Sequence, residues 1–358
     1  MPKPFAALAA LALGSTALMA QAPQQPKPEQ AAPAPAPFNA EEAKAAVEKL
    51  ATSLDESFVF PDVGKKYAAA LRAKLASGGY SSFPDSRAFA EAVTADLQAV
   101  HEDRHLRVRP VPAQPGGGPR RMGPPEDFQA IEKAGWIAEG IAYISFVGFP
   151  GNEATLAKLK TFLAEHKDAK TLIIDARRHG GGGLDEMDVM FPYFYGKPQT
   201  LVQMDTRLAV EQRDGNPLAD GPTLVKVKGP DGVVRRSHNV IPAAEATGLR
   251  TAKIFLLTSN RTASAAEHLS LSLKRSGRAT LIGETTRGAG HYGGVVPLGG
   301  GYAVFIPVGR TFDPDNNQGW EGKGVKPDVE VPADQALDEA LRRAGVEPAK
   351  ARTLASLN

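Results

Sequence analysis

Apolar residues fall into two periodicities along the chain. Ala46, Val47, Leu50, Leu54 and Phe58 recur at helical spacing. Asn39 stands just ahead as an N-cap, with Glu42 three residues on to complete a capping box. The same period predicts a second helix from about Val63 to Leu75, with Tyr67, Ala70 and Leu71 inward and Gly78-Gly79 as its stop. A third helix starts at Asp85 or Ser86 and lines up Phe89, Val93, Leu97 and Val100. These segments predict a small three-helix bundle over 39–108. Leu106 and Val108, followed by Pro110 and Pro112, take the chain out of helix into a short strand. A connector follows over 109–133, with the Gly- and Pro-rich run AQPGGGPRRMGPP inside it.

From residue 134 the pattern changes. GWIAEGIAYISF predicts a hairpin, and NEATLAKLKTFLAEH an amphipathic helix capped by Asn152. TLIIDA is an unbroken apolar run of the kind that forms a strand covered on both faces. GGGG follows, then a helix from Asp185, the stretch QTLVQMDTRL, a hairpin around GPDG (229–232) and the buried strand KIFLLTS. A helix over about 262–275 stops before Gly277, and ATLIGE opens the last strands. Alternating strands and helices predict an α/β core over 134–345, with 346–358 as a C-terminal tail.

The N-terminus reads differently. MPKPFAALAALALGSTALMA carries one lysine, an apolar run and then small residues. That layout predicts a signal peptide over 1–22, cleaved after Ala20 or Ala22, and hence a periplasmic or secreted protein. The Pro-, Ala- and Gln-rich stretch at 23–38 predicts an extended linker. No later segment is apolar for long enough to span a bilayer, so no membrane insertion is expected after cleavage.

Composition narrows the chemistry. The 358 residues are 42% hydrophobic and 23% charged, an ordinary globular balance. Forty-two basic against 40 acidic residues give +2, which offers no electrostatic pull toward nucleic acid. There is no cysteine, which excludes thiol nucleophiles, thiolate metal sites and disulfides.

Two motifs carry candidate chemistry. Ser264 opens a helix after a buried strand, beside unpaired backbone N–H groups and the positive helix end, where developing negative charge is favoured. Ser264 and Glu267 also read as a plain capping box. His179 and the glycines at 180–183 follow another buried strand, and glycines there let backbone amides turn toward an oxyanion. Separately, His101-Glu102-Asp103-Arg104-His105 matches the H-E-x-x-H zinc pattern. A strand beginning at Leu106 argues that the two histidines do not share a helical face, so no metal site is assigned.

LIIDARRHGGGG, LLTSNRTASAAEHLSLSLKRSGRATLIGETTRG and GWEGKGVKPDVEVP, in that order and spacing, resemble the tail-specific protease (C-terminal processing peptidase) family of serine hydrolases. The helical segment from FVFPDVGKK to DRHLRV resembles the N-terminal domain of the interphotoreceptor retinoid-binding protein branch. The resemblance covers about 39 to 345. It implies a crotonase/Clp-like ββα spiral catalytic core, a peptide or protein substrate, no cofactor, and Ser264 as nucleophile. It also implies an oxyanion hole from the Ala265 amide with Gly180 or Gly181. Many members use a lysine base, but that position falls on Ala289, and the nearby Arg287 stays protonated. A histidine must then serve. His105 resembles the histidine of tricorn-type relatives, with Glu321 where an orienting glutamate is expected, and His291 is the other candidate. His105 is preferred because it comes with an orienting acid. His268 is expected to be structural, and His166 and His238 to lie at the surface. The connector is too short for a PDZ domain. The rival reading is a non-catalytic carrier of apolar ligands on the same scaffold, with Ser264 only a cap.

Overall fold

The computed structural model describes residues 36–111, 128–215 and 217–357. The segment expected to be a signal peptide, nearly all of the linker and much of the connector lie outside the described residues. No helix among the described residues is long and apolar enough to cross a membrane.

Three helices come first: α1 (Ala40–Ser57), α2 (Pro61–Ala76) and α3 (Ser86–Val100). Asn39 caps α1 by accepting from the amides of Glu41 and Glu42, and Asp85 caps α3 from Arg87 and Ala88. The short strand β1 (Val108–Pro110) leads to the hairpin β2 (Ile131–Ala138) and β3 (Ile141–Phe146). Then follow α4 (Glu153–Glu165), β4 (Thr171–Asp175), α5 (Asp185–Phe194), β5 (Gln199–Arg207) and α6 (Leu208–Asp214). The hairpin β6 (Leu224–Val227) and β7 (Val233–Val240) precedes β8 (Lys253–Thr258), α7 (Ala265–Arg275) and β9 (Thr280–Gly283). A long hairpin, β10 (His291–Gly299) and β11 (Tyr302–Phe312), comes before β12 (Val329–Glu330), α8 (Ala336–Arg343) and α9 (Pro348–Leu357).

Among the described residues the strands form two six-stranded sheets. One runs β12-β9-β8-β4-β3-β2, with parallel pairing from β3 to β12 and only the β2–β3 hairpin antiparallel. TLIID and KIFLLT pair here residue for residue from Thr171↔Lys253, and both are apolar because helices cover both faces. The other sheet runs β1-β11-β5-β7-β6, with β10 also on β11, and is antiparallel.

The helical segment does not close a core of its own. Leu50, Leu54, Phe89 and Leu97 bury into one cluster with Tyr302, Val304 and Ile306 of β11. Phe58 and Phe60, at the α1–α2 turn, set their rings edge-on to His291 at 6.4 and 5.4 Å between centroids. The bundle therefore packs directly behind the start of β10. Two histidines expected at the surface are buried. His166 stacks on Phe162 at 4.3 Å, and its Nδ1 contacts the Phe162 carbonyl at 2.7 Å. His238 sits on an inner face of β7, and its partners explain its burial below.

Candidate active site

β8 ends at Thr258 and the chain reaches α7 through a turn tied down from both sides. Thr262 Oγ1 donates to the Ala176 carbonyl and the Ala263 amide to the His179 carbonyl, which joins this turn to the glycine corner after β4. Ser264 closes the turn with φ 56° and ψ −117°. A non-glycine residue there carries roughly 1–3 kcal/mol of strain, which persists only where surrounding contacts over-determine it. Glu267 supplies those contacts. Its carboxylate, fully buried, accepts from the amides of Ser264 (2.8 Å), Gly288 (2.6 Å) and Ala289 (2.8 Å) and from Thr286 Oγ1 (2.6 Å). Burial pushes the Glu267 carboxyl above the usual range, against the pull of these four donors. The Ser264 hydroxyl, by contrast, makes no capping hydrogen bond. Ser264 and Glu267 hold the two places of a capping box, but no hydrogen bond of ordinary geometry ties down the Ser264 oxygen.

Ser264 lines a cavity of about 440 Å³ together with Ala265, Gly182, His268 and His291. His291 begins β10, and its Nδ1 lies 2.6 Å from Asp103 Oδ2. Asp103 is fully buried, and its Oδ1 accepts from the amides of His105 (2.9 Å) and Leu106 (3.1 Å). Burial alone would raise the Asp103 carboxyl, but the hydrogen bond to His291 and its charge hold it below the usual value. A carboxylate at Nδ1 requires the proton there, so His291 presents Nε2 as an acceptor. Asp103 is a site residue that sequence reading missed. It lies inside the H-E-x-x-H stretch, but nothing local distinguishes it from an ordinary turn aspartate.

His105 and Glu321 are arranged differently from expectation. Among the described residues no hydrogen bond joins them. Glu321 is a backbone bracket, accepting from Arg104 N–H (2.6 Å), Gly290 N–H (2.5 Å) and His291 N–H (3.1 Å). It thereby clamps the Asp103 turn to the head of β10. His105 stacks on Phe305 at 5.0 Å, its Nδ1 is buried without a partner, and it is absent from the cavity wall. Burial lowers its pKa to about 4, so the ring is neutral at physiological pH.

The glycine corner also departs from expectation. The Gly180 amide donates to the Val147 carbonyl, and the Gly181 amide to His179 Nδ1 at 3.0 Å. Both are already spent. Gly182 and Ala265 line the cavity instead, and among the described residues neither N–H is engaged. Gly181 must be glycine, since at φ +115° an added Cβ would come within 2.8 Å of Ser264 Cβ.

The zinc pattern fails on geometry. His101 caps α3 with extended backbone (φ −160°), so it and His105 do not share a helical face. Donor atoms of Asp103, His105 and Glu321 do lie within 4.8 Å of one another. Both oxygens of each carboxylate are, however, already accepting from amides or from His291.

Residues 140–331, more than half of the chain, match peptidase family S41. Residues 39–132 match the family described as the N-terminal domain of S41 peptidases in eukaryotic interphotoreceptor retinoid-binding protein. The chain belongs to peptidase family S41. It is similar to the chloroplastic carboxyl-terminal-processing peptidase 1 of Arabidopsis thaliana, 29% identical over 36% of this chain and 26% of that protein. It is also similar to the carboxy-terminal processing protease CtpB of Bacillus subtilis, 24% identical over 47% of this chain and 29% of that protein. The chain thus spans little more than a quarter of the curated relatives it matches. Among solved structures it shares its fold with a photosystem II D1 C-terminal processing protease (TM-score 0.50, 17% identity, 86% of this chain and 98% of that one). A second is a putative peptidase from Parabacteroides merdae (TM-score 0.53, 16% identity, 81% and 90%).

Proposed function

We propose that the protein is an exported serine endopeptidase that cleaves peptide bonds through an acyl-enzyme on Ser264. The observation that carries this reading is a strained serine with an unused hydroxyl, sharing a cavity wall with an imidazole held by a buried aspartate. Ser264 Oγ attacks the scissile carbonyl while His291 Nε2 takes its proton. Asp103 holds the Nδ1–H and stabilises the imidazolium that forms. The N–H groups of Ala265 and Gly182 receive the oxyanion, since those of Gly180 and Gly181 are committed elsewhere. His291 then protonates the leaving amine, and water, deprotonated by the same imidazole, releases the acid. Glu321 acts as a positioning residue through the backbone of Arg104 and His291, and His105 as a packed neutral ring.

The carrier reading finds less support. The cavity beside Ser264 is walled partly by Asp185 and Asp188, which disfavours an apolar ligand. An unstructured protein such as β-casein should be cut by the wild type and spared by Ser264→Ala, with fragments read by mass spectrometry. Tight binding of a fatty acid with no cleavage would support the carrier instead. Export is tested by N-terminal sequencing of the mature protein, which should begin at Gln21 or Pro23.

A further inference from the structure

Below the reacting end, the cavity has a distinct electrostatic character. The glycine corner feeds directly into α5, whose first turn places Asp185 and Asp188 three residues apart on one face, and both line the cavity. His268 lies four residues, just over one turn, down α7 from Ser264, about 6 Å along the axis. Its ring is 2% exposed, lines the same cavity, and contacts His238 Nδ1 through Nε2 at 2.8 Å. His238 Nε2 lies in turn 3.0 Å from Asp188 Oδ1.

This chain of contacts fixes the protons. Asp188 accepts from His238 Nε2–H, so His238 Nδ1 accepts from His268 Nε2–H. Nδ1 of His268 is then left as a lone-pair acceptor, with no partner among the described residues. Burial holds the His268 ring well below its usual pKa and hence neutral, and in this tautomer its Nδ1 is the acceptor. A third carboxylate at the rim, Asp220, is offset by Arg236 and Lys226. No lysine or arginine is among the described residues of the wall. The cavity therefore offers acceptors and net negative charge one helical turn from the nucleophile, and Met204 and Trp320 add apolar wall.

We propose that this cavity is the specificity subsite for the residue whose carbonyl reacts, and that it selects a lysine or arginine side chain. The aliphatic stem would lie along Met204 and Trp320, and the cationic head would donate to Asp185, Asp188 and His268 Nδ1. An acidic side chain would be rejected by the same carboxylates. The assignment rests on Ser264 being the nucleophile, and its test separates the two claims.

Fluorogenic peptides identical except at the cleaved position (Arg, Lys, Leu or Glu) are compared by kcat/KM. Arg and Lys should exceed Leu at least tenfold and Glu by more. The Arg-to-Leu ratio should fall at least fivefold in Asp185→Asn and again in Asp188→Asn. In Ser264→Ala, the Arg peptide should bind at least tenfold more tightly than the Leu peptide, read by Trp320 fluorescence. Equal Arg and Leu peptide binding by Ser264→Ala overturns the subsite, as does a wild type that labels with a fluorophosphonate yet favours Leu. A wild type that neither labels nor cleaves, in a protein whose Ser264→Ala form still prefers the Arg peptide, overturns the nucleophile and leaves the subsite standing.

Discussion

Asp103→Asn isolates the orientation of the base from the stability of the fold. Asp103 Oδ1 receives two backbone amides, from His105 and Leu106 at 2.9 and 3.1 Å, while Oδ2 faces His291 Nδ1 at 2.6 Å. An asparagine keeps its carbonyl toward the two amides, because turning its NH2 there would set donors against donors. The NH2 must then face His291. The imidazole responds by accepting at Nδ1, which moves its proton to Nε2 and leaves nothing to take the Ser264 proton. In chymotrypsin-type triads the equivalent exchange lowers kcat about 10⁴-fold. The expectation here is a loss of about 10³ to 10⁴, or about 4 to 5 kcal/mol of transition-state stabilisation at 1.36 kcal/mol per decade. The turn keeps both amide bonds, so the unfolding midpoint should move by only a few degrees. The assay is single-turnover hydrolysis of a quenched fluorescent peptide, with thermal unfolding of the same preparation alongside. A folded variant retaining more than a tenth of wild-type kcat would refute the reasoning.

Three other outcomes follow from the same geometry. Glu267→Gln would turn an NH2 toward at least one of the four donors that now surround the carboxylate, so urea denaturation should show a loss of about 2–4 kcal/mol; an unchanged midpoint contradicts the bracket. Ser264→Gly relieves the positive φ and should be more stable than Ser264→Ala by about 1 kcal/mol, and a glycine variant less stable than the alanine one would show the backbone unstrained. His105 has a folded pKa of about 4 against roughly 6.5 unfolded, so the unfolded chain binds more protons between those values. Its contribution is complete above pH 6.5 and falls as acid is added, by about 2 kcal/mol at pH 5. Urea titrations at pH 7.5 and 5 should show this loss in wild type and a smaller one in His105→Gln; equal losses would exclude His105 as the source.

The parts of the structure legible in the sequence are those whose cause is local. Asn39, Asp85 and Asn152 cap helices where their spacing to the apolar stripe predicted, and TLIID and KIFLLT form buried parallel strands. The serine at the head of α7 was legible from a buried strand, a short turn and a hydroxyl at the helix start. Its backbone strain was not, because that arises from Glu267 reaching the 286–289 loop. The preference for His105 over His291 as the base turns on contacts of the same long-range kind. Asp103 and His291 are 188 residues apart in sequence, and Glu321, chosen as the orienting acid, spends its oxygens on backbone amides that no side-chain pattern reveals. His238 looked like a surface residue because its partners, Asp188 and His268, come from two other elements.

The central claim is that Ser264 is activated by His291, and covalent labelling reads it directly. Intact protein is treated with a fluorophosphonate, digested, and the modified residue located by mass spectrometry. Modification should fall on Ser264, vanish in Ser264→Ala, slow by at least 10³-fold in His291→Ala, and continue within tenfold of wild type in His105→Ala. Labelling at any other residue, or at an undiminished rate without the His291 imidazole, would contradict the account.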